Sequence, residues 1–142
     1  MLVVLDTNIL ISACWKPGGN EARVVGLVRE GKLRIGASPA LWAEYEEVLR
    51  RPKFARLSNA VEDLIAALRP LVVHAPAGQP IQLARDADDD LVLEAALWSG
   101  ARYLITGNLQ DYPLQWPVAR IVNARQFLEQ WDQSIRAGSA AP

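Results

Sequence analysis

Five short apolar runs alternate along this chain with longer segments of helical character, and that alternation constrains the fold more than any other feature. The runs are residues 1–5, 33–37, 71–74, 103–105 and 118–122. Continuous apolar stretches of this length suit strands buried on both faces of a parallel sheet. The segments between them carry helix signals. Asp6-Thr7-Asn8 offers N-cap chemistry for a helix beginning near Ile9. Residues 21–29 place Val24, Val25, Leu27 and Val28 on one stripe. Ser38-Pro39 opens a helix that Pro52 stops, and residues 59–68 form another. Asp88 or Asp89 caps a helix running to Ser99 and ended by Gly100. Asn123 caps a last one over 124–135. Strands alternating with helices predict a parallel sheet with helices on both faces, and sites in such sheets form outside the carboxyl ends of the strands.

The 142 residues, 51% of them hydrophobic, suffice for one domain with a full core. That domain is expected over 1–136, followed by a disordered tail over 137–142. The apolar runs are too short to span a bilayer, and no basic segment precedes an apolar one as in a signal peptide. A single cysteine, Cys14, excludes an internal disulfide and fits a reducing, cytoplasmic setting as a buried thiol. Five tryptophans are many for this length; core packing is the expected use, with Trp15, Trp116 and Trp131 as the candidates for an interface.

The net charge of −1 does not advertise a nucleic-acid ligand. However, acids gathered into one site would leave a mildly basic remainder. The best local patch is Arg50, Arg51, Lys53 and Arg56, whose competing reading is a solvated helix end.

The acids fall at four stations. Asp6 directly follows the first apolar run, where a lone carboxylate is poorly hydrated and wants a cation or a donor. Glu44, Glu46 and Glu47 share a helix whose apolar stripe is Leu41, Tyr45, Val48 and Leu49. At 100° per residue Glu47 opposes that stripe, while Glu44 and Glu46 flank it and remain undistinguished. Asp86, Asp88, Asp89 and Asp90 crowd one helix start. Capping explains one or two of them, and the others repel unless a cation offsets them. Asn108 and Asp111 follow Thr106-Gly107 just after the fourth run. Together these are oxygen donors without His or Cys, the set that Mg²⁺ or Mn²⁺ prefers. The one histidine, His74, reads as structural. No Ser-His or Cys-His pair and no glycine-rich phosphate loop is present. An aspartyl-phosphate hydrolase would need a second Asp where Asn8 stands.

The order Leu5-Asp6-Thr7-Asn8, Ser38-Pro39 before a helix with Glu44, Asp86-Ala87-Asp88-Asp89 before Val92-Leu93-Glu94, then Thr106-Gly107-Asn108-Leu109-Gln110-Asp111, resembles the PIN-domain family. Within that family it is similar to the branch of toxin components of toxin–antitoxin systems, the VapC-like ribonucleases. The resemblance covers nearly the whole chain. It implies a three-layer α/β/α sandwich with a central, mostly parallel sheet of about five strands. It implies a Mg²⁺- or Mn²⁺-dependent endoribonuclease that hydrolyses RNA with metal-activated water. It carries the acidic positions to Asp6, Glu44 and Asp89, which resolves the choice between Glu44 and Glu46. Asn108 takes a fourth position that is often Asp, and Asp111 is expected to supply the charge there. The catalytic set is thus Asp6, Glu44, Asp89 and Asn108, and the metal set Asp6, Glu44, Asp89 and Asp111. Asn8, Thr106, Arg50, Arg51 and Lys53 are assigned to the substrate side. RNA, a cognate antitoxin and a second copy in a homodimer are the implied partners. The competing reading is a catalytically weak or inactive module that binds RNA or protein.

Overall fold

Every strand pairing is parallel, and the sheet runs in the order β3-β2-β1-β4-β5. The structure is a computed structural model and describes residues 1–138; the expected tail beyond residue 138 lies outside the described residues. The strands are β1 (Leu2–Leu5), β2 (Arg34–Ala37), β3 (Val72–His74), β4 (Tyr103–Ile105) and β5 (Arg120–Val122). Between and after them lie α1 (Thr7–Trp15), α2 (Asn20–Arg29), α3 (Pro39–Leu49), α4 (Ser58–Leu68), α5 (Ala87–Ser99) and α6 (Ala124–Arg136). The α/β/α architecture follows from the alternation, because a parallel pairing needs a crossover to return the chain to the same edge; helices supply it up to β4, whereas β4 reaches β5 through a loop with one 3-10 turn, Leu109–Asp111.

β1 is the central strand, paired with β2 on one side and β4 on the other. Val3, Val4 and Leu5 are wholly buried, as are Ile35, Tyr103, Leu104 and Ile105 on the neighbouring strands. Helix α5 packs across β2, β1 and β4, and α1 packs on α2 and α3. Helix α6 brings Phe127 edge-on to Tyr103, with Trp131 stacked on Phe127.

Helix boundaries follow local chemistry. The Ser38 side chain accepts a hydrogen bond from the Leu41 amide at 3.1 Å, and Pro39 opens α3. Asn123 and Gln126 form a reciprocal capping box at α6. Gly100 ends α5 with a positive φ of 71°, a conformation that suits a residue without Cβ. Two starts differ from expectation. The cap of α5 is Asp86, which accepts from the Asp88 amide at 2.9 Å, so neither Asp88 nor Asp89 is the cap. Helix α1 begins at Thr7, and Asp6 occupies its N-cap position without making a capping bond.

Other expectations need adjustment. Residues Pro52–Leu57 form a 3-10 turn that links α3 to α4. His74, read as structural, ends the edge strand β3 and is exposed. Cys14 is half-buried, and its thiol is pushed up first by burial and then by Asp63. Among the tryptophans, Trp131 is core and Trp15 is exposed. Among the described residues no helix is long and apolar enough to cross a membrane.

Candidate metal centre

The strand order decides where a site forms. From β1 the chain moves outward to β2 and β3, then crosses back to β4 on the other side of β1. The connections therefore diverge between β1 and β4, leaving a crevice at their carboxyl ends. Asp6 directly follows β1 and Thr106 directly follows β4. The Asp6 amide donates to the Ile105 carbonyl at 2.9 Å and fastens the two strand ends together.

The Asp6 side chain is only 6% exposed, so its charge needs partners. Three donors converge on one oxygen, Oδ2: Thr106 Oγ1 at 2.7 Å, Tyr112 OH at 2.8 Å and Asn8 Nδ2 at 3.2 Å. Turned toward these donors, the carboxylate makes no capping bond to α1. Among the described residues no hydrogen bond reaches its other oxygen, Oδ1.

Glu44 arrives from α3, whose register is held by Tyr45. That ring is fully buried and its hydroxyl donates to the Leu5 carbonyl. One residue earlier on the helix, Glu44 accepts from Thr7 Oγ1 at 3.0 Å. Glu46 points elsewhere and pairs with Arg50 at 2.8 Å and Arg69 at 3.5 Å, while Glu47 pairs with Arg51. The helix thus divides its three acids, with Glu44 toward Asp6 and the other two toward surface arginines.

Asp89 lies in the first turn of α5, and its Oδ1 is 3.5 Å from the Tyr112 hydroxyl. Asp111 closes the 3-10 turn Leu109–Asp111 and is half-buried. The acids feel one another. Burial, followed by the charges of Asp88, Asp6 and Asp89, pushes the Glu44 carboxyl up to about 7, against a lowering by the Thr7 hydrogen bond. Burial, followed by Asp6, Asp111 and Asp86, pushes Asp89 up to about 6. Burial, followed by Asp6 and then Asp89, holds the Tyr112 hydroxyl well above the usual tyrosine range, so it remains a donor.

These residues suit a hard divalent cation by the chemistry of their donors. All are oxygens, they come from separate elements, and their mutual repulsion is what a bound cation would relieve. Among the described residues none of Asp6, Glu44, Asp86, Asp88, Asp89 and Asp111 takes part in a salt bridge. The arrangement is open: among the described residues no three acidic, His or Cys side chains already stand close enough to form a ligand cage.

The residues expected on the substrate side separate. Thr106 is wholly buried; its hydroxyl donates to Asp6 and accepts from the Asn108 amide at 3.0 Å. Both bonds are made inside the fold, where the hydroxyl supports the Asp6 carboxylate. Asn8 is half-buried and clasps the two loops, donating to Asp6 and accepting from the Gly107 amide at 3.0 Å. Asn108 is exposed at the rim. Arg50 is gripped by Glu62 through two nitrogens and by Glu46 through a third. Arg51 has Glu47 as its one ion-pair partner among the described residues, and is held charged first by that pair and more weakly by Asp88 and Glu44. Lys53 lies over the Phe54 ring at 5.1 Å.

The sequence marks Thr7 only as part of the first helix start and Asp90 only as part of an acidic run, and gives Tyr112 and Glu94 no site role. Asp90 Oδ1 accepts from the amides of Leu83 and Ala84 at 3.0 and 2.8 Å, and Glu94 accepts from the Ile81 amide at 3.0 Å. Both carboxylates are buried and pin the segment that leads into α5. For Glu94 the signal is present in the sequence, since an acid inside the apolar helical stretch 91–97 needs an internal donor; Asp90 is masked by the acids before it.

A family model described as PIN domain matches residues 2–110 of this chain. An uncharacterized protein of Methanocaldococcus jannaschii is 28% identical over 145 residues, covering 94% of this chain and 93% of that protein. Among solved structures, a chain in the crystal structure of VapBC2 from Rickettsia felis, bound to a DNA fragment from their promoter, is similar in fold. It has a TM-score of 0.57 and 16% sequence identity, covering 87% of this chain and 98% of that one.

Proposed function

This chain belongs to the PIN-domain family, and from that premise we propose that it is a metal-dependent endoribonuclease acting as the toxin of a toxin–antitoxin pair. The observation that carries the reading is that Asp6, Glu44 and Asp89 line one crevice beside β1, Glu44 held by Thr7 and Asp89 beside the tyrosine that holds Asp6, with two carboxyls raised by burial and by neighbouring acids. Asp6, Glu44 and Asp89 would hold Mg²⁺ or Mn²⁺, with Asp111 adding charge at the rim. When bound, such a cation lowers the pKa of the attacking water and stabilises charge developing on the phosphate. The chain's own residues orient and select. Thr106 and Tyr112 fix the Asp6 carboxylate, and Thr7 fixes Glu44. Exposed Asn108 would orient the scissile phosphate or its water. Arg51 is the better placed arginine for an RNA phosphate, because an exposed i,i+4 pair is cheap to exchange.

Single-stranded or loop RNA is the substrate class that can present its backbone to a recessed acidic crevice. The toxin assignment rests on the motif resemblance and on a structural neighbour described as VapBC2. A cognate antitoxin over the crevice and a homodimer belong to the same proposal.

A second reading is a weak or inactive RNA- or protein-binding module. It is favoured by the uncharged Asn108 and by the open state of the ligand set. Cleavage of a labelled RNA with Mn²⁺, Mg²⁺ or EDTA, by wild type, Asp6→Asn and Asp89→Asn, separates the two. The enzyme reading expects metal-dependent cleavage that both variants lose. Equal cleavage by wild type and variants would sink it, and metal-independent RNA binding without cleavage would favour the module.

A further inference from the structure

Asp6 is held from one side. Thr106, Tyr112 and Asn8 all donate to Oδ2, and two of the three also tie the strand-end loops together. Thr106 accepts from the Asn108 amide and Asn8 accepts from the Gly107 amide, so both are explained by loop geometry alone. Tyr112 is not. Its ring lies just past the 3-10 turn Leu109–Asp111, is buried to 5% exposure, and places its hydroxyl between two carboxylates. The oxygen is 2.8 Å from Asp6 Oδ2 and 3.5 Å from Asp89 Oδ1. A phenol carries one proton, and the shorter contact takes it. The hydroxyl therefore fixes Asp6 by donation and stands against Asp89 as a spacer. Oδ1 of Asp6 is left without a donor among the described residues.

We propose that Tyr112 is a positioning residue of the metal centre: its hydroxyl keeps Oδ1 of Asp6 turned toward the cation and sets the gap between Asp6 and Asp89. The inference rests on the reading of these acids as ligands of a divalent cation. It differs from a packing role, which the ring alone would fill. Groups that orient ligands from behind typically change metal affinity by ten- to a hundredfold when removed, and one of three donors to one oxygen belongs at the low end, about tenfold.

The test is Tyr112→Phe in the full chain, which keeps the ring and removes one oxygen. Mn²⁺ affinity is measured by calorimetry at fixed pH, alongside urea unfolding in EDTA and RNA cleavage at low and high Mn²⁺. The expected result is Mn²⁺ binding weakened about tenfold, kcat reduced at low Mn²⁺ and restored by excess Mn²⁺, and KM for RNA unchanged. Unfolding in EDTA distinguishes positioning from general loosening of the fold, because a bound ion would offset loosening as well. Tyr112→Met, which fills similar space without a hydroxyl, serves if the Phe variant is too unstable to titrate. A Mn²⁺ affinity within about twofold of wild type would overturn the proposal while leaving the metal centre standing. Wild type that binds no Mn²⁺ would overturn both.

Discussion

Replacing Glu44 by Gln should stabilise the metal-free protein at pH 8 and leave it nearly unchanged near pH 4. The Glu44 carboxyl has an ordinary value of 4.5 and stands at about 7 in the fold, raised mainly by burial and then by Asp88, Asp6 and Asp89. A raised carboxyl means that the folded state binds more protons than the unfolded chain between those values. Stability therefore falls as pH rises through that window and levels off above it. Gln has no proton to lose and so gains no charge, and its amide oxygen can still accept from Thr7 Oγ1. Unscreened, a displacement of this size amounts to a few kcal/mol. The side chain is only half-buried, so solvent screening reduces the expected gain to about 1 kcal/mol. With an m-value of about 2 kcal/mol/M, that is roughly 0.5 M in the urea midpoint. Urea unfolding in EDTA at pH 4 and pH 8 measures it. Adding Mn²⁺ should reverse the order, because wild type gains binding energy that the variant gains less of. A variant no more stable than wild type at pH 8, or a difference independent of pH, would refute the claim that these carboxylates converge and repel.

Other consequences are local. Thr106→Val should destabilise the protein by about 3 kcal/mol, since it removes a donor to a buried carboxylate and leaves the Asn108 amide without its partner; an unfolding midpoint equal to wild type would contradict this. Asp90→Ala should cost about 2 kcal/mol and raise hydrogen exchange at the Leu83 and Ala84 amides, whereas unchanged protection would show the segment to be held otherwise. Arg51→Gln should raise KM for RNA a few-fold without changing kcat, and reduce the salt slope of binding by about 0.7. Arg50→Gln should do less, because that side chain is already gripped by Glu62 and Glu46; the opposite ranking would misplace the RNA path.

How far the sequence carries the account depends on the length scale of the cause. Strand and helix order follows from the apolar runs, and Ser38 and Asn123 cap as their chemistry requires. Asp6 is legible because a carboxylate at the end of a buried strand has few explanations. Glu44 is not separable from Glu46 by periodicity, since both flank the same stripe. The separation comes from Thr7 on one side and from Arg50 and Arg69 on the other, which are tertiary partners. In sequence the acidic run 86–90 is one crowded group. In the fold it divides into a cap at Asp86, a crevice residue at Asp89 and a buried anchor at Asp90. Helical geometry turns successive residues by 100°, but which direction meets the crevice depends on how α5 sits on the sheet. Tyr112 was invisible because nothing local distinguishes a buried tyrosine that supports a carboxylate from one that fills space.

The most direct test of the central claim is calorimetric titration of Mn²⁺ into wild type and Asp6→Asn at neutral pH. The account predicts saturable binding with proton release in wild type, as the raised carboxyls of Glu44 and Asp89 ionise on taking up the ion, and loss of that binding in Asp6→Asn. Identical isotherms for the two proteins would contradict it.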